Sequence, residues 1–140
     1  MKILIVDDSP IDLSIINSAI SKVEGVTTSF AKTADEAIGV AIRDKPDLII
    51  LDVVMPTMDG IEVKSRLSRT ILTAHIPVIF VTGSEFGETK EDCYRIGCID
   101  YLTKPIDMDK LVDIITRQSF ITKLERLISD NEQFCKRVCG

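Results

Sequence analysis

Histidine and long apolar runs are scarce in this chain and a net positive charge is lacking, and each of these removes a class of function. The single histidine among the 140 residues, His75, lies in the approach to a strand with no evident partners for a catalytic triad, so it is assigned no role. The longest apolar runs reach only strand length, too short to cross a membrane as a helix. Met1-Lys2 leads directly into one of them without the pattern of a cleavable signal, so a cytoplasmic protein is expected. A formal net charge of -5 argues against nucleic acid or an anionic membrane as the direct partner, because both require a basic face. Four cysteines (Cys93, Cys98, Cys135, Cys139) are spaced Cys-x4-Cys and Cys-x3-Cys without histidines at ligand spacing, and read as reduced structural thiols, not as a disulfide framework or a metal site. Internal repeats and low-complexity linkers are absent, and the length suits one domain with one core.

What is present is a repeated arrangement. The runs Ile3 to Val6, Leu48 to Leu51, Val78 to Val81 and, less purely, Ile99 to Leu102 are short, apolar and mostly β-branched, as buried parallel strands are. Directly after the first three stand Asp7 and Asp8, Asp52 and Thr82, and one residue beyond the fourth stands Lys104. Val26 to Phe30 reads as a further strand. Between strands, Ser9-Pro10 offers a cap and a first helical residue ahead of Leu13, Ile16, Ile20 and Val23 at helical spacing. Thr33 with Glu36 suggests a capping box for a second helix ending near Pro46. Asp59-Gly60 followed by Glu62 opens a third helix that runs through Leu67, with Ile71 as its outer bound, and closes before Pro77. A fourth runs from about Glu88 to Ile96, stopped by Gly97, and a fifth begins near Asp107. Five β/α units in strict alternation imply an α/β domain whose parallel sheet carries helices on both faces. In such sheets ligands bind beyond the carboxyl ends of the strands, where these polar residues fall.

If the first and third strands are neighbours, Asp7, Asp8 and Asp52 converge, and their mutual repulsion calls for a cation. Mg²⁺ suits an all-oxygen set and keeps open positions for a phosphate oxygen. An aspartate can attack phosphorus to give an acyl phosphate, with lysine and hydroxyl groups neutralising the equatorial oxygens, roles that suit Lys104 and Thr82. Taken singly, each residue has a plain alternative as a helix cap, a loop hydrogen bond or a solvated charge. Their joint placement is what points to one phosphoryl site.

With Asp7-Asp8, Asp52 followed by Met55-Pro56, Met58-Asp59-Gly60, Thr82, Gly97, Asp100-Tyr101-Leu102 and Lys104-Pro105, the chain resembles the receiver domains of two-component response regulators over roughly residues 1–120. The resemblance implies a flavodoxin-like (βα)5 three-layer sandwich with strand order 2-1-3-4-5. It also implies Mg²⁺-dependent transfer of a phosphoryl group from a sensor histidine kinase or phosphotransfer protein to Asp52. Asp8 and Asp52 would bind the metal directly, Asp7 through water, and the backbone carbonyl of Val54 would complete the set. Lys104 would pair with the phosphoryl group, Thr82 would move to bond it, and Tyr101 would change rotamer in response. The Lys104–Pro105 bond is expected to be cis. Val54 and Ser84, at positions that vary in the family, bear on how readily water reaches the phosphoryl group. Cys93 and Cys98 fall where small buried residues are common.

So read, the protein is a phosphorylation-controlled binding module and not an enzyme, signalling to a downstream protein or output domain through its helix 4, strand 5 and helix 5 face. An Asp-x-Asp phosphatase would need an acid where Val54 stands, and a flavin or nucleotide carrier would need a hydroxyl- or glycine-rich loop where Asp7-Asp8 repel phosphate. Residues 121–140 are the least family-like part, a helical extension in which Ile121, Leu124, Ile128, Asn131, Cys135 and Val138 alternate by three and four, as a coiled-coil seam would. Two readings of the extension stand side by side. It pairs two copies as a homodimer or begins a signalling helix toward an output module, or it packs as a single amphipathic helix on its own domain.

Overall fold

Strands this rich in Ile, Val and Leu must hide both faces from water, and the fold does so with helices on either side of one sheet. The computed structural model describes residues 1–55, 58–83 and 94–139. Its parallel sheet is built from β1 (Lys2–Val6), β2 (Thr27–Ala31), β3 (Leu48–Asp52), β4 (Val78–Thr82) and β5 (Asp100–Thr103), in the order β2-β1-β3-β4-β5. Every residue of β3 and β4 is buried, whereas the more polar β2, at the edge, buries fully only Ala31.

Alternation along each strand sorts the core into two layers. Ile3, Ile5, Ile50 and Val81 meet Leu13 and Ile16 of helix α1 (Pro10–Ile20) and Leu111 and Ile115 of the C-terminal helix (Met108–Cys139). Leu4, Val6, Leu51 and Phe80 meet Ala37 and Ala41 of α2 (Ala34–Asp44) and Val63 and Leu67 of α3 (Gly60–Arg69). Each fully buried aliphatic side chain contributes about 1.5–3 kcal/mol, so the two layers dominate stability.

The caps fall where the sequence places them. Ser9 Oγ accepts from Asp12 N at 3.3 Å, Thr33 Oγ1 from Glu36 N at 3.2 Å, and Asp59 Oδ1 from Ile61 N at 2.9 Å. α2 ends on Lys45, whose left-handed φ of 49° turns the chain toward Pro46. α3 stops at Arg69, short of Ile71, because Thr73 Oγ1 donates to the carbonyl of Leu67 at 2.7 Å and closes the last turn, leaving Ile71 91% exposed. Of the expected fourth helix, Tyr94–Ile96 is helical and Gly97, at φ 100°, ends it, while Glu88 to Cys93 lie outside the described residues. β2 and β5 each begin one residue later than expected, although Ile99 N already donates to Val78 O at 2.9 Å. A two-residue antiparallel ladder between Val54–Met55 and Met58–Asp59 was not expected. The Lys104–Pro105 bond is cis.

Candidate functional site

Parallel strands align their carboxyl ends, so Asp7 and Asp8 after β1, Asp52 and Thr82 closing β3 and β4, and Lys104 after β5 arrive at one edge. Asp7, Asp8 and Asp52 each present an oxygen, and these atoms lie within 4.8 Å of one another. Asp7 is 1% and Asp52 3% exposed, and Thr82 is buried too. Lys104 N donates to Thr82 O at 2.7 Å, extending the β4–β5 pairing to the lysine. Its Nζ then donates to Asp52 Oδ2 at 3.2 Å and to Asp12 Oδ2 at 2.8 Å, and stands 3.7 Å from Asp7 Oδ2.

The charges are unequally housed. Burial pushes the Asp7 carboxyl up from 3.8 to about 6; the Ser9 amide, donating to Oδ1 at 2.9 Å, opposes the rise and the charge of Asp52 adds to it. Burial also works against the Lys104 ammonium, but its bonds to Asp12 and Asp52 and the charge of Asp7 outweigh that and raise its pKa. Asp7 Oδ2 is buried and accepts no hydrogen bond. Such an oxygen beside two more carboxylates suits a hard divalent cation, since burying a charged oxygen with no hydrogen bond is costly and one ammonium faces several carboxylates here. On these observations the residues present fit Mg²⁺.

Two contributors were missed from sequence. Asp12 reads only as an acid in the first turn of α1, yet it holds Lys104. Gly60 begins α3 so close beneath the end of β3 that a Cβ there would lie 2.7 Å from Val53 Cα and closer still to the Asp52 carbonyl. The glycine of Asp59-Gly60 therefore sets how α3 supports the site. Val54 sits opposite Asp59 in the short ladder, two residues past Asp52. Tyr101 on β5 is half-buried against the α2/α3 layer, with Lys110 Nζ 5.7 Å from its ring centroid. Cys98 is buried, Cys93 and Ser84 lie outside the described residues, and His75 lines a cleft at the opposite end of the sheet.

Residues 3–116 match the family model of the response regulator receiver domain. The chain belongs to that family. Among curated proteins, Protein PilH of Pseudomonas aeruginosa is 35% identical over 114 residues, covering 81% of this chain and 93% of PilH. Sporulation initiation phosphotransferase F of Bacillus subtilis is 31% identical over 116 residues, covering 83% and 91%. Among solved structures, the signal receiver domain of a putative LuxO repressor protein from Vibrio parahaemolyticus superposes with a TM-score of 0.80 at 28% identity, covering 91% of this chain and 95% of that one. Other relatives are much longer: Response regulator PleD of Caulobacter vibrioides aligns over 94% of this chain at 33% identity, but over only 28% of its own length. This receiver therefore has the doubly wound fold and two-component signalling role of its family, and its acidic edge is where the family's chemistry is to be sought.

Proposed function

We propose that this receiver takes a phosphoryl group from the phosphohistidine of a sensor histidine kinase or phosphotransfer protein onto Asp52, and that the modified site reshapes a protein-binding face. The observation that carries this reading is the position of Lys104, whose ammonium bridges Asp52 and Asp12 beside an Asp7 oxygen that accepts no hydrogen bond. One acceptor carboxylate is thus buried beside a cation on the strand that ends at the site. A carboxylate oxygen of Asp52 forms the new P–O bond while the P–N bond of the donor breaks. The imidazole leaves with that electron pair and takes a proton from water.

Asp7, Asp8 and Asp52, with the backbone carbonyl of Val54, would hold Mg²⁺, which when bound neutralises phosphoryl oxygens. Asp12 keeps Lys104 poised at the site, so the ammonium can exchange the Asp52 carboxylate for a phosphoryl oxygen with little movement. Thr82, buried at the end of β4, turns its hydroxyl toward the same group. Tyr101 lies on the neighbouring strand opposite Phe80, and its rotamer responds to the space Thr82 vacates. The face altered is that of the fourth helix, β5 and the start of the C-terminal helix. The protein acts as a switch, not as a turnover enzyme, since the second acid of an Asp-x-Asp phosphatase is replaced by Val54. No helix among the described residues is long and apolar enough to cross a membrane, and a cytoplasmic site of action goes with a kinase donor.

The test is Mg²⁺-dependent labelling by a small phosphodonor. The wild type is expected to label and Asp52→Ala to lose the label; undiminished labelling of Asp52→Ala would remove Asp52 as acceptor. A second reading, the receiver portion of a longer regulator, is favoured by the 32-residue C-terminal helix and by an alignment with PleD that covers 132 residues, more than the family model matches.

A further inference from the structure

The C-terminal helix is fastened to the body along one side and bare along the other. Leu111, Ile114 and Ile115 are core residues, Thr122 is buried, and Arg126 Nη2 bonds Asp47 Oδ1 at 2.9 Å. Asp47 is itself held, its Oδ2 accepting from Lys2 N at 2.8 Å. Between these ties Gln118, Ile121, Thr122 and Glu125 line a cleft against the body. The opposite side carries Phe120, Leu124 and Leu127, exposed by 63, 43 and 61%, with Ile128, 58% exposed, at its margin. A helix end so fixed presents this apolar stripe outward in one orientation.

The pattern of that stripe specifies a partner. Phe120, Leu124, Leu127 and Asn131 alternate by four and three, the spacing of a coiled-coil seam. The seam expected from sequence shares Leu124 and Asn131 with it; Ile121, 43% exposed, also lines the cleft, and Phe120 and Leu127, the most exposed apolar residues of this stretch, take the outward positions. Ile121 and Ile128 flank the stripe on one side, and the exposed Lys123 and Asp130 on the other. Lay a second copy antiparallel so that Leu124 faces Leu127 of that copy. The two-fold axis repeats the layer as Leu127 on Leu124, and Phe120 and Asn131 close both ends. In the same register Ile121 meets Ile128 twice along one flank, and Lys123 meets Asp130 twice along the other. Sliding the copies by one heptad sets Asp130 against Asp130. A parallel arrangement sets Lys123 against Ile128 and leaves no Lys123–Asp130 pair.

We infer that this face is the interface of an isologous antiparallel homodimer, in which residues 120–131 of two copies pair about a two-fold axis and Lys123–Asp130 ion pairs fix direction and register. The partner is a second copy, because this chain read backwards supplies both the apolar and the charge complement. The pairing takes up the homodimer reading of the C-terminal extension and does not require phosphorylation of Asp52.

Sedimentation equilibrium of the full chain, with reductant and chelator, tests it on four proteins: wild type, Lys123→Glu, Asp130→Lys and the double exchange. Each single exchange turns two attractions into two repulsions, so dimerisation is expected to weaken about tenfold, and the double exchange to restore it. A wild type that stays monomeric at millimolar concentration overturns the inference, as do four equal affinities or a double exchange no tighter than the singles. Labelling by the small phosphodonor, run on the same proteins, is expected to be equal in all four, so failure of the pairing and failure of the Asp52 assignment are read separately.

Discussion

Replacing Asp7 by asparagine in the metal-free protein should make the fold more stable while destroying its response to Mg²⁺. The carboxyl is 1% exposed, one of its oxygens accepts no hydrogen bond, and burial lifts its pKa from 3.8 to about 6. An acid with a raised folded-state pKa holds its proton more tightly folded than unfolded. Its stabilising proton is therefore fully present below the unfolded value, and stability falls as pH rises toward the folded one. The shift corresponds to about 3 kcal/mol, developed fully above about pH 6 and absent near about pH 3. The asparagine side chain carries no such charge, keeps the volume, and retains an oxygen for the Ser9 amide. Urea denaturation in chelator is expected to show the variant gaining about 2–3 kcal/mol over wild type at about pH 7.5, and little of that at about pH 4. Added Mg²⁺ should then stabilise wild type and leave the variant where it was. A gain equal at both pH values, or a loss at neutral pH, would refute the claim that a desolvated charge awaits a cation here.

Three other substitutions probe the supports. Gly60→Ala drives a methyl against Val53 and the Asp52 carbonyl, so a loss of about 1–3 kcal/mol in urea melts and weaker Mg²⁺ stabilisation are expected; a neutral result would mean that α3 does not brace the site. Asp12→Ala removes the shortest bond to Lys104, but both side chains are 30% exposed, so stability should fall by less than about 1 kcal/mol while small-donor labelling slows; unchanged labelling would deny Asp12 a part in holding the lysine. Lys64, 6% exposed on α3, bonds Ser68 Oγ at 3.1 Å, and burial lowers its pKa despite an opposing influence from Cys98. Its penalty is present at neutral pH and relieved as pH rises through the lowered value, so Lys64→Met should stabilise the neutral protein by about 1 kcal/mol; destabilisation would show the ammonium to be structurally required.

Hydrophobic pattern makes most of this molecule legible in its sequence. Ile3 to Val6, Leu48 to Leu51 and Val78 to Val81 can be buried on both faces only inside a covered parallel sheet, and polar residues after such strands then share an edge. That logic gathered Asp7, Asp8, Asp52, Thr82 and Lys104 although they are far apart in the chain. The features that escaped it depend on approach between elements, which no local pattern encodes. Asp12 looks like any acid favouring a helix amino terminus until β5 delivers Lys104 beside it. Gly60 looks like a turn residue until the closeness of β3 is known. Lys64 breaks the polar face of α3 by being covered. In the tail, two apolar seams overlap in sequence, and only the attachment of Arg126 to Asp47 and the burial of Thr122 determine which one faces outward.

In the proposed function a single side chain, Asp52, carries the phosphoryl group. The most direct measurement is to expose the protein to a small phosphodonor with Mg²⁺, trap the acyl phosphate with borohydride, which reduces it to homoserine, and map the product by peptide mass. Homoserine at position 52, and its loss when Mg²⁺ is withheld, is the expected result. Homoserine at position 7, 8 or 12 instead, or trapping that ignores Mg²⁺, would contradict the assignment.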